Sequence, residues 1–384
     1  MNILYLSPRD PRAVPSLWSG TALSILRGFE SHGHAVHVVT VQSPWADPYT
    51  AIKYRWYRDV RKQMYFRDLD PLNLPCLRHT IRRAVRGVKF DAVFAWLPWM
   101  TLLVDTDRPR LFWYDTTYVQ TQPMYFPNVC PASHEQSLRL DRAAVAQSEA
   151  AVYCSEWARQ AAINEYRAAP DKVHAIPFGA NLSDVPTADT VARAIDARLA
   201  RSDAVHLLFV GYAWERKGGP VALEVLSKLL AGGQPARLTI VGASPAVPAA
   251  LEPCVVRVGP LEKQVAGDER RLRELYLESD WFFMTSRNES YGIVYCEAMA
   301  HGLPSLATRT GAVAELVQSG ESGELFDWSE QLADQIAAAI LRYRADPERY
   351  RALCHNAHRR YDKSFNWTAA SARFNEVLTG VARR

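Results

Sequence analysis

Residues 288–304 read NESYGIVYCEAMAHGLP. Glu289 and Glu297 stand eight positions apart, with Gly292 between them and Gly302-Leu303-Pro304 behind. The apolar run DWFFMTS (280–286) reads as a strand and Asn288 to Gly292, through Tyr291, as a turn. A helix is predicted from about Gly292 to Ala300, stopped by His301-Gly302. At ~1.5 Å rise per residue, the two acids are ~12 Å apart or somewhat less. Between them lie the backbone N–H groups of Gly292, Ile293 and Val294, at a helix N-terminus. Such an end attracts phosphate through its free N–H groups and the helix dipole, and a glycine there lets a ligand approach the main chain. Acceptors at both ends with anion-binding donors in the middle match the layout of a nucleotide sugar: sugar hydroxyls, diphosphate, ribose hydroxyls. A capped surface helix with charged ends has the same spacing, and spacing alone does not separate the two.

Two further segments carry chemistry. In VGYAWERKGG (210–219), Arg216 and Lys217 fall at a strand-to-helix junction, with Gly218-Gly219 giving backbone room. A guanidinium and an ammonium there can neutralise a diphosphate without a metal. In WSGTA (18–22), Gly20 sits in the loop after the first predicted strand, where a glycine lets a substrate come near the main chain.

These loops must be held by strands and helices. ILYLS (3–7), a Gly/Pro/Ser-rich loop, the helical stretch 21–33 and AVHVVTV (35–41) form a β-loop-α-β unit of a parallel, doubly wound sheet. DAVFAWL (91–97), RLFWYD (110–115) and AAVYCS (150–155) read as later strands of that sheet. The texture changes around 177–205, where PFGANLSDVPTADT reads as a linker. A second alternation follows: strands at 205–211, 236–242, 255–259, 280–286 and 303–308, with helices at 219–232, near 268–279 and from about 292. The tail 365–384 reads as an amphipathic helix with a basic end. A chain of 384 residues suits two domains, here 1–185, 186–364 and the final helix 365–384. Ligands of open α/β sheets bind at the carboxyl ends of strands, so the cleft between two such domains is the expected site.

At 48% hydrophobic, 22% charged and +4 net, the composition is that of an ordinary soluble globular protein. Cys76, Cys130, Cys154, Cys254, Cys296 and Cys354 are scattered without a C-x-x-C, so neither a zinc knuckle nor a dithiol redox site is suggested, and reduced thiols in a cytosolic protein are expected. MNILYLSPRD lacks the basic start and long apolar run of a signal peptide. No apolar run reaches the ~20 residues of a membrane span.

Taken together the segments resemble family 4 glycosyltransferases. The two glutamates match that family's E-x7-E motif within ESYGIVYCEAMAHGLPSLAT, followed by TGAVAELVQSGESGELF. RKGG matches its phosphate-binding K-G segment, and VYCSEWARQAAINEY with KVHAIPFGANL (152–182) its interdomain segment. The resemblance covers nearly the whole chain, most specifically 205–326. It implies the GT-B fold: α/β, two Rossmann-like doubly wound domains facing across a cleft, with the C-terminal helix packing back on the N-terminal domain. It implies retaining hexose transfer from a nucleoside-diphosphate sugar, with no metal and no other cofactor. Glu289 would face the donor sugar hydroxyls and Glu297 the ribose. Gly292, Ile293 and Val294 would meet sugar and phosphates through backbone N–H, with Tyr291 and Gly20 beside the donor. Arg216 and Lys217 would stabilise the departing diphosphate. The sequence departs from the family in two places. Gly211-Tyr212 replaces the G-R after the first strand of the second domain, so Arg216 supplies that cation from five positions later. RLFWYDTTYV has no histidine after the fourth strand, leaving Asp115 or Thr116 to meet sugar or acceptor.

The acceptor side is marked by charge. Residues 53–89 hold eleven Lys and Arg against three Asp, a net +8, so the remaining chain is near −4. Tyr54, Trp56, Tyr57, Tyr65 and Phe66 are interleaved. Such a patch suits an anionic acceptor or an anionic membrane surface; a lipid-linked pyrophosphate glycan supplies both, and the protein is then expected in the cytoplasm, peripheral on the inner face of the membrane. Interleaved aromatics also suit single-stranded nucleic acid. The leading expectation is transfer to a glycan, glycolipid or lipid-linked acceptor. A DNA-modifying or other small-acceptor transferase, and a non-catalytic sugar-nucleotide-binding subunit, are the alternatives; epimerases and phosphorylases share the fold.

Overall fold

The computed structural model describes residues 1–42, 47–201 and 203–383. Arg384, the last residue of the expected C-terminal helix, lies outside the described residues. Contacts divide the chain into two units, Met1–Pro177 with Trp367–Arg384, and Phe178–Asn366. The division falls eight residues before the 185/186 boundary expected from composition.

Each unit carries a six-stranded parallel sheet. In the first, β1 (Asn2–Ser7), β2 (Ala35–Thr40), β3 (Ala92–Ala95), β4 (Arg110–Tyr114), β5 (Ala150–Tyr153) and β6 (Val173–Ala175) lie in the order β2-β1-β3-β4-β5-β6. In the second, β7 (Val205–Gly211), β8 (Ala236–Gly242), β9 (Val255–Gly259), β10 (Trp281–Met284), β11 (Ser305–Thr308) and β12 (Gly323–Phe326) lie in the order β12-β11-β10-β7-β8-β9. Both orders reverse direction once, between β1 and β3 and between β7 and β10. A crevice opens outside the carboxyl ends of the strands at such a point. The central strands are buried on both faces: Leu207, Leu208, Phe209, Phe282 and Phe283 are fully enclosed, as helices on either side of a parallel sheet require.

The helix Trp367–Ala382 belongs to the first unit. Its Phe374 stacks on Trp113, with centroids 4.9 Å apart and planes 13° apart, and meets Phe29 edge-on. Gly28 lets it approach, since a Cβ there would stand 2.8 Å from Ser371 Cβ. Of the stretch read as linker, residues 177–187 hold no regular element and its last three residues begin a helix. The helix Ala188–Ala200 rises out of the Pro/Thr/Asp cluster, and Thr187 caps it by accepting from the Thr190 N–H. The end of that cluster is therefore a helix start. The short strands β6 and β12 were not foreseen; three or four residues give too little periodicity to register. Among the described residues, no helix is long and apolar enough to cross a membrane.

Candidate functional site: a cation–carboxylate cluster between β7 and β10

Because β7 and β10 are neighbours, the loops that follow them meet at the switch point. The glycines of RKGG serve this meeting. Gly218 has φ +82°, and a Cβ on it would fall 2.2 Å from the Thr285 carbonyl oxygen. The Arg287 N–H donates to the Arg216 carbonyl at 2.8 Å, and the Arg216 guanidinium donates to the Asn288 carbonyl. The cations are thereby fixed against the turn that carries Glu289. Lys217 Nζ donates to Glu289 Oε2 at 2.9 Å, and Arg216 Nη1 lies 3.5 Å from the same oxygen. The Glu289 side chain is only 10% exposed, so water screens these pairs weakly. Two cations against one carboxylate leave the cluster one positive charge in excess.

Gly292 caps the helix Ile293–Ala300 with φ +88°, a conformation that favours glycine. Ile293 and Val294 follow in the first turn, half-buried, where N–H groups have no intrahelical acceptor. Tyr291 does not offer its ring to a ligand. It is buried, and its hydroxyl donates to the Phe178 carbonyl at 2.8 Å. Glu297 lies one turn into the helix with no exposure at all. It is held by an ion pair with Lys263 and by the Tyr276 hydroxyl at 3.2 Å. Beneath it, His301 Nδ1 bonds the Glu297 carbonyl at 2.7 Å while the imidazole stacks on Tyr276. Burial pushes the His301 pKa down to about 3, so the ring is neutral and Nδ1–H donates.

The first unit has its own loops at its own switch point. Gly20 has φ +94°, and Trp18 and Ser19 before it are also left-handed, at +52° and +56°. Two consecutive non-glycine residues in that region store roughly 1–2 kcal/mol each. Trp18 is held there by stacking on Trp96, 4.9 Å away, and by Tyr114 at 5.5 Å. Tyr114 ends β4, so this stack ties the Gly20 loop to the Asp115–Thr116 loop. Thr116 is buried and its hydroxyl donates to Gln120 Oε1 at 2.8 Å, inside the Thr117–Gln120 capping box that opens the helix Tyr118–Tyr125. Asp115 is the more exposed of the two.

Two family profiles match, one described as Glycosyltransferase Family 4 over residues 21–184 and one as Glycosyl transferases group 1 over 204–346. The chain belongs to the family 4 glycosyltransferases. Among relatives of this glycosyltransferase-family chain is a D-inositol 3-phosphate glycosyltransferase of Xylanimonas cellulosilytica, 29% identical over 252 residues, 62% of this chain and 59% of the relative. Another is that of Thermomonospora curvata, 30% identical over 243 residues, 59% of this chain and 56% of the relative. The chain thus spans a little over half the length of these relatives. In fold it is similar to sucrose-phosphate synthase from Thermosynechococcus elongatus, with TM-score 0.70, 18% identity and 99% of both chains covered. It is likewise similar to Anabaena HepE solved with UDP and glucose, with TM-score 0.64, 15% identity and 99% of both chains covered. The architecture is GT-B.

In this family 4 chain the geometry adds residues that sequence reasoning missed. Lys263, in the loop after β9, pairs with Glu297, and a lone lysine among EKQ carries no signal of its own. Trp18 and Trp96 were likewise unmarked, since stacking across two loops is a tertiary fact.

Proposed function

We propose that the protein transfers a hexose, with retention, from a nucleoside-diphosphate sugar to an acceptor hydroxyl. One observation carries the proposal: Lys217 and Arg216 converge on Glu289 beside the Gly292-capped helix end. An arriving diphosphate would compete for the two cations and for the N–H groups of Gly292, Ile293 and Val294. Glu289, released from Lys217, would accept from the sugar hydroxyls. Glu297, once Lys263 swings aside, would accept from the ribose. The leaving diphosphate's growing charge would then be met by fixed groups without a metal, an electrostatic form of catalysis. Gly20 and Asp115 are proposed as the contribution of the first unit to sugar or acceptor.

The acceptor is proposed to be a glycan, glycolipid or lipid-linked glycan. A small phosphorylated polyol is the second reading, favoured by the names of the relatives from Xylanimonas cellulosilytica and Thermomonospora curvata. Melting curves with UDP, GDP, ADP and dTDP would identify the base, since a ligand of the native state raises its stability. Release of that diphosphate from its common sugars, with and without acceptors, tests the reaction. No release from any donor sinks the proposal. Turnover unaltered in Glu289→Ala or Lys217→Ala sinks the site.

A further inference from the structure

An amphipathic helix on a globular surface ordinarily turns its apolar stripe inward. The helix Asp47–Trp56 and the turn Tyr57–Arg61 that continues it do the reverse. Tyr49, Ile52, Trp56 and Val60 follow one another at spacings of three, four and four, and so share a face. They are 48%, 68%, 48% and 66% exposed. The inward face is Thr50, Lys53 and Tyr57. Lys53 Nζ donates to Asp70 at 2.7 Å, the Tyr65 hydroxyl donates to the same carboxylate, and Tyr57 stacks on Tyr65 at 5.3 Å. The segment's far end is pinned by Met64, whose N–H donates to the Asn128 carbonyl and whose carbonyl accepts from Cys130. It is therefore a fixed feature that holds its polar side in and its apolar side out.

Seven of the twelve exposed large hydrophobic residues of the described chain fall between residues 49 and 72. Isolated exposed apolar side chains are ordinary, but a concentration marks a docking surface. Cations border the stripe. Arg55, Arg58, Arg61 and Lys62 are all exposed, and Arg61 lies over the Trp56 ring, 5.8 Å from its centroid. Arg78, Arg82 and Arg83 are exposed on the next helix, Asn73–Ala84. The local charge is strongly positive while the rest of the chain is slightly negative.

We propose that this face docks on an anionic lipid bilayer, the apolar stripe entering the headgroup–acyl boundary and the guanidinium groups meeting lipid phosphates. Interfacial helices combine these same two features. Ile52 and Val60 are aliphatic and offer no ring for a base to stack on, which weighs against single-stranded nucleic acid. A second copy of the chain would bring like charge against like charge.

Flotation with phosphatidylcholine vesicles, with and without phosphatidylglycerol, tests the proposal on the full chain. Binding is expected on the anionic vesicles alone and to fall steeply with salt. Ile52→Ser with Val60→Ser should weaken partitioning ~10-fold or more. Arg55→Glu with Arg61→Glu and Lys62→Glu should weaken it ~100-fold, several-fold for each cation removed. These side chains are exposed, so unchanged melting curves confirm that the variants fold. Failure to float at low salt overturns the proposal, as does flotation indifferent to both variants. A dimer in light scattering that Ile52→Ser with Val60→Ser dissolves assigns the face to a second copy instead. Tighter retention of a single-stranded oligonucleotide than of vesicles assigns it to nucleic acid. The assay needs no turnover, so its failure and that of the proposed transfer reaction are separate results.

Discussion

Replacing Lys263 by Met isolates what the lysine does for Glu297. The carboxylate has no exposure, and its other side-chain partner is the Tyr276 hydroxyl, at a long 3.2 Å. Stripping the partner from a buried ion pair costs roughly 3–5 kcal/mol. Lys263 is itself 25% exposed, so water can enter the gap and about 2–3 kcal/mol is expected. For a unit of about 190 residues that lowers Tm by ~4–12 °C. Glu297→Gln should be milder, about 1 kcal/mol, because the amide still accepts from Tyr276 and Lys263 can turn to solvent. The double variant should sit near Glu297→Gln alone, giving a coupling of about 2–3 kcal/mol. Nucleotide affinity should split the other way. Glu297→Gln loses a charged acceptor for the ribose, about 1.5–3 kcal/mol or ~10–150-fold, whereas Lys263→Met leaves that acceptor in place and binds within a few-fold of the parent. Urea melts and calorimetric titration with the nucleotide chosen by the melting panel measure both. Additive stability losses, or Lys263→Met weakening the nucleotide as much as Glu297→Gln does, would refute the idea that Lys263 holds Glu297 until the ribose arrives.

Lys217→Ala should cut diphosphate release ~100- to 1,000-fold, the usual loss for one electrostatic donor; steady-state kinetics on the preferred donor checks it. Gly218→Ala should cost ~3 kcal/mol or more and lower Tm by ~6–12 °C, because its Cβ would press on the Thr285 carbonyl at 2.2 Å and φ is +82°. His301 governs part of the acid limb. Its pKa is about 3 in the fold against about 6.5 unfolded, so between those values the unfolded chain binds a proton that the native chain refuses, and stability falls as pH drops from about 6.5 toward about 3. His301→Phe, which preserves the ring over Tyr276, should flatten the loss between pH 7 and pH 5 by about 2 kcal/mol, read from urea midpoints at the two pH values.

The parts of this molecule that were legible in the sequence are those with local causes. Glu289, Gly292 and Glu297 are set by one turn and one helix, so their spacing already implied their geometry. Lys217 and Arg216 follow a strand whose apolar run is plain to read. Lys263 was not legible, because its meeting with Glu297 depends on the order β10-β7-β8-β9, and no local pattern encodes strand order. The setting of the Tyr291 ring was illegible for the complementary reason. Tyr291 sits in the motif, but its ring is drawn inward by the Phe178 carbonyl, 113 positions away in sequence. The helix Ala188–Ala200 was hidden behind the residues that start it, since Pro, Thr and Asp serve loops and helix caps alike.

Both acids of the opening motif are occupied by lysine, and this has a physical sense. An isolated buried carboxylate is costly to desolvate, so a site that presented two of them to neutral hydroxyls, as proposed for Glu289 and Glu297, would need a counter-charge that can be withdrawn. Lys217 and Lys263 provide it while remaining 15% and 25% exposed, within reach of an incoming anion. For Lys217 the proposed function makes that anion the diphosphate, which would offer more negative charge than Glu289 does. For Lys263 no phosphate is required by the proposed layout, and release of Glu297 must be driven by the nucleoside itself. That difference predicts an order among probes. Inorganic pyrophosphate should protect Lys217 from amine-modifying reagents and leave Lys263 reactive, whereas a nucleoside diphosphate should change the reactivity of both. Mapping the two lysines by mass spectrometry after brief acetylation reads this directly, and protection of both by pyrophosphate alone would place Lys263 on the phosphates instead of at the ribose.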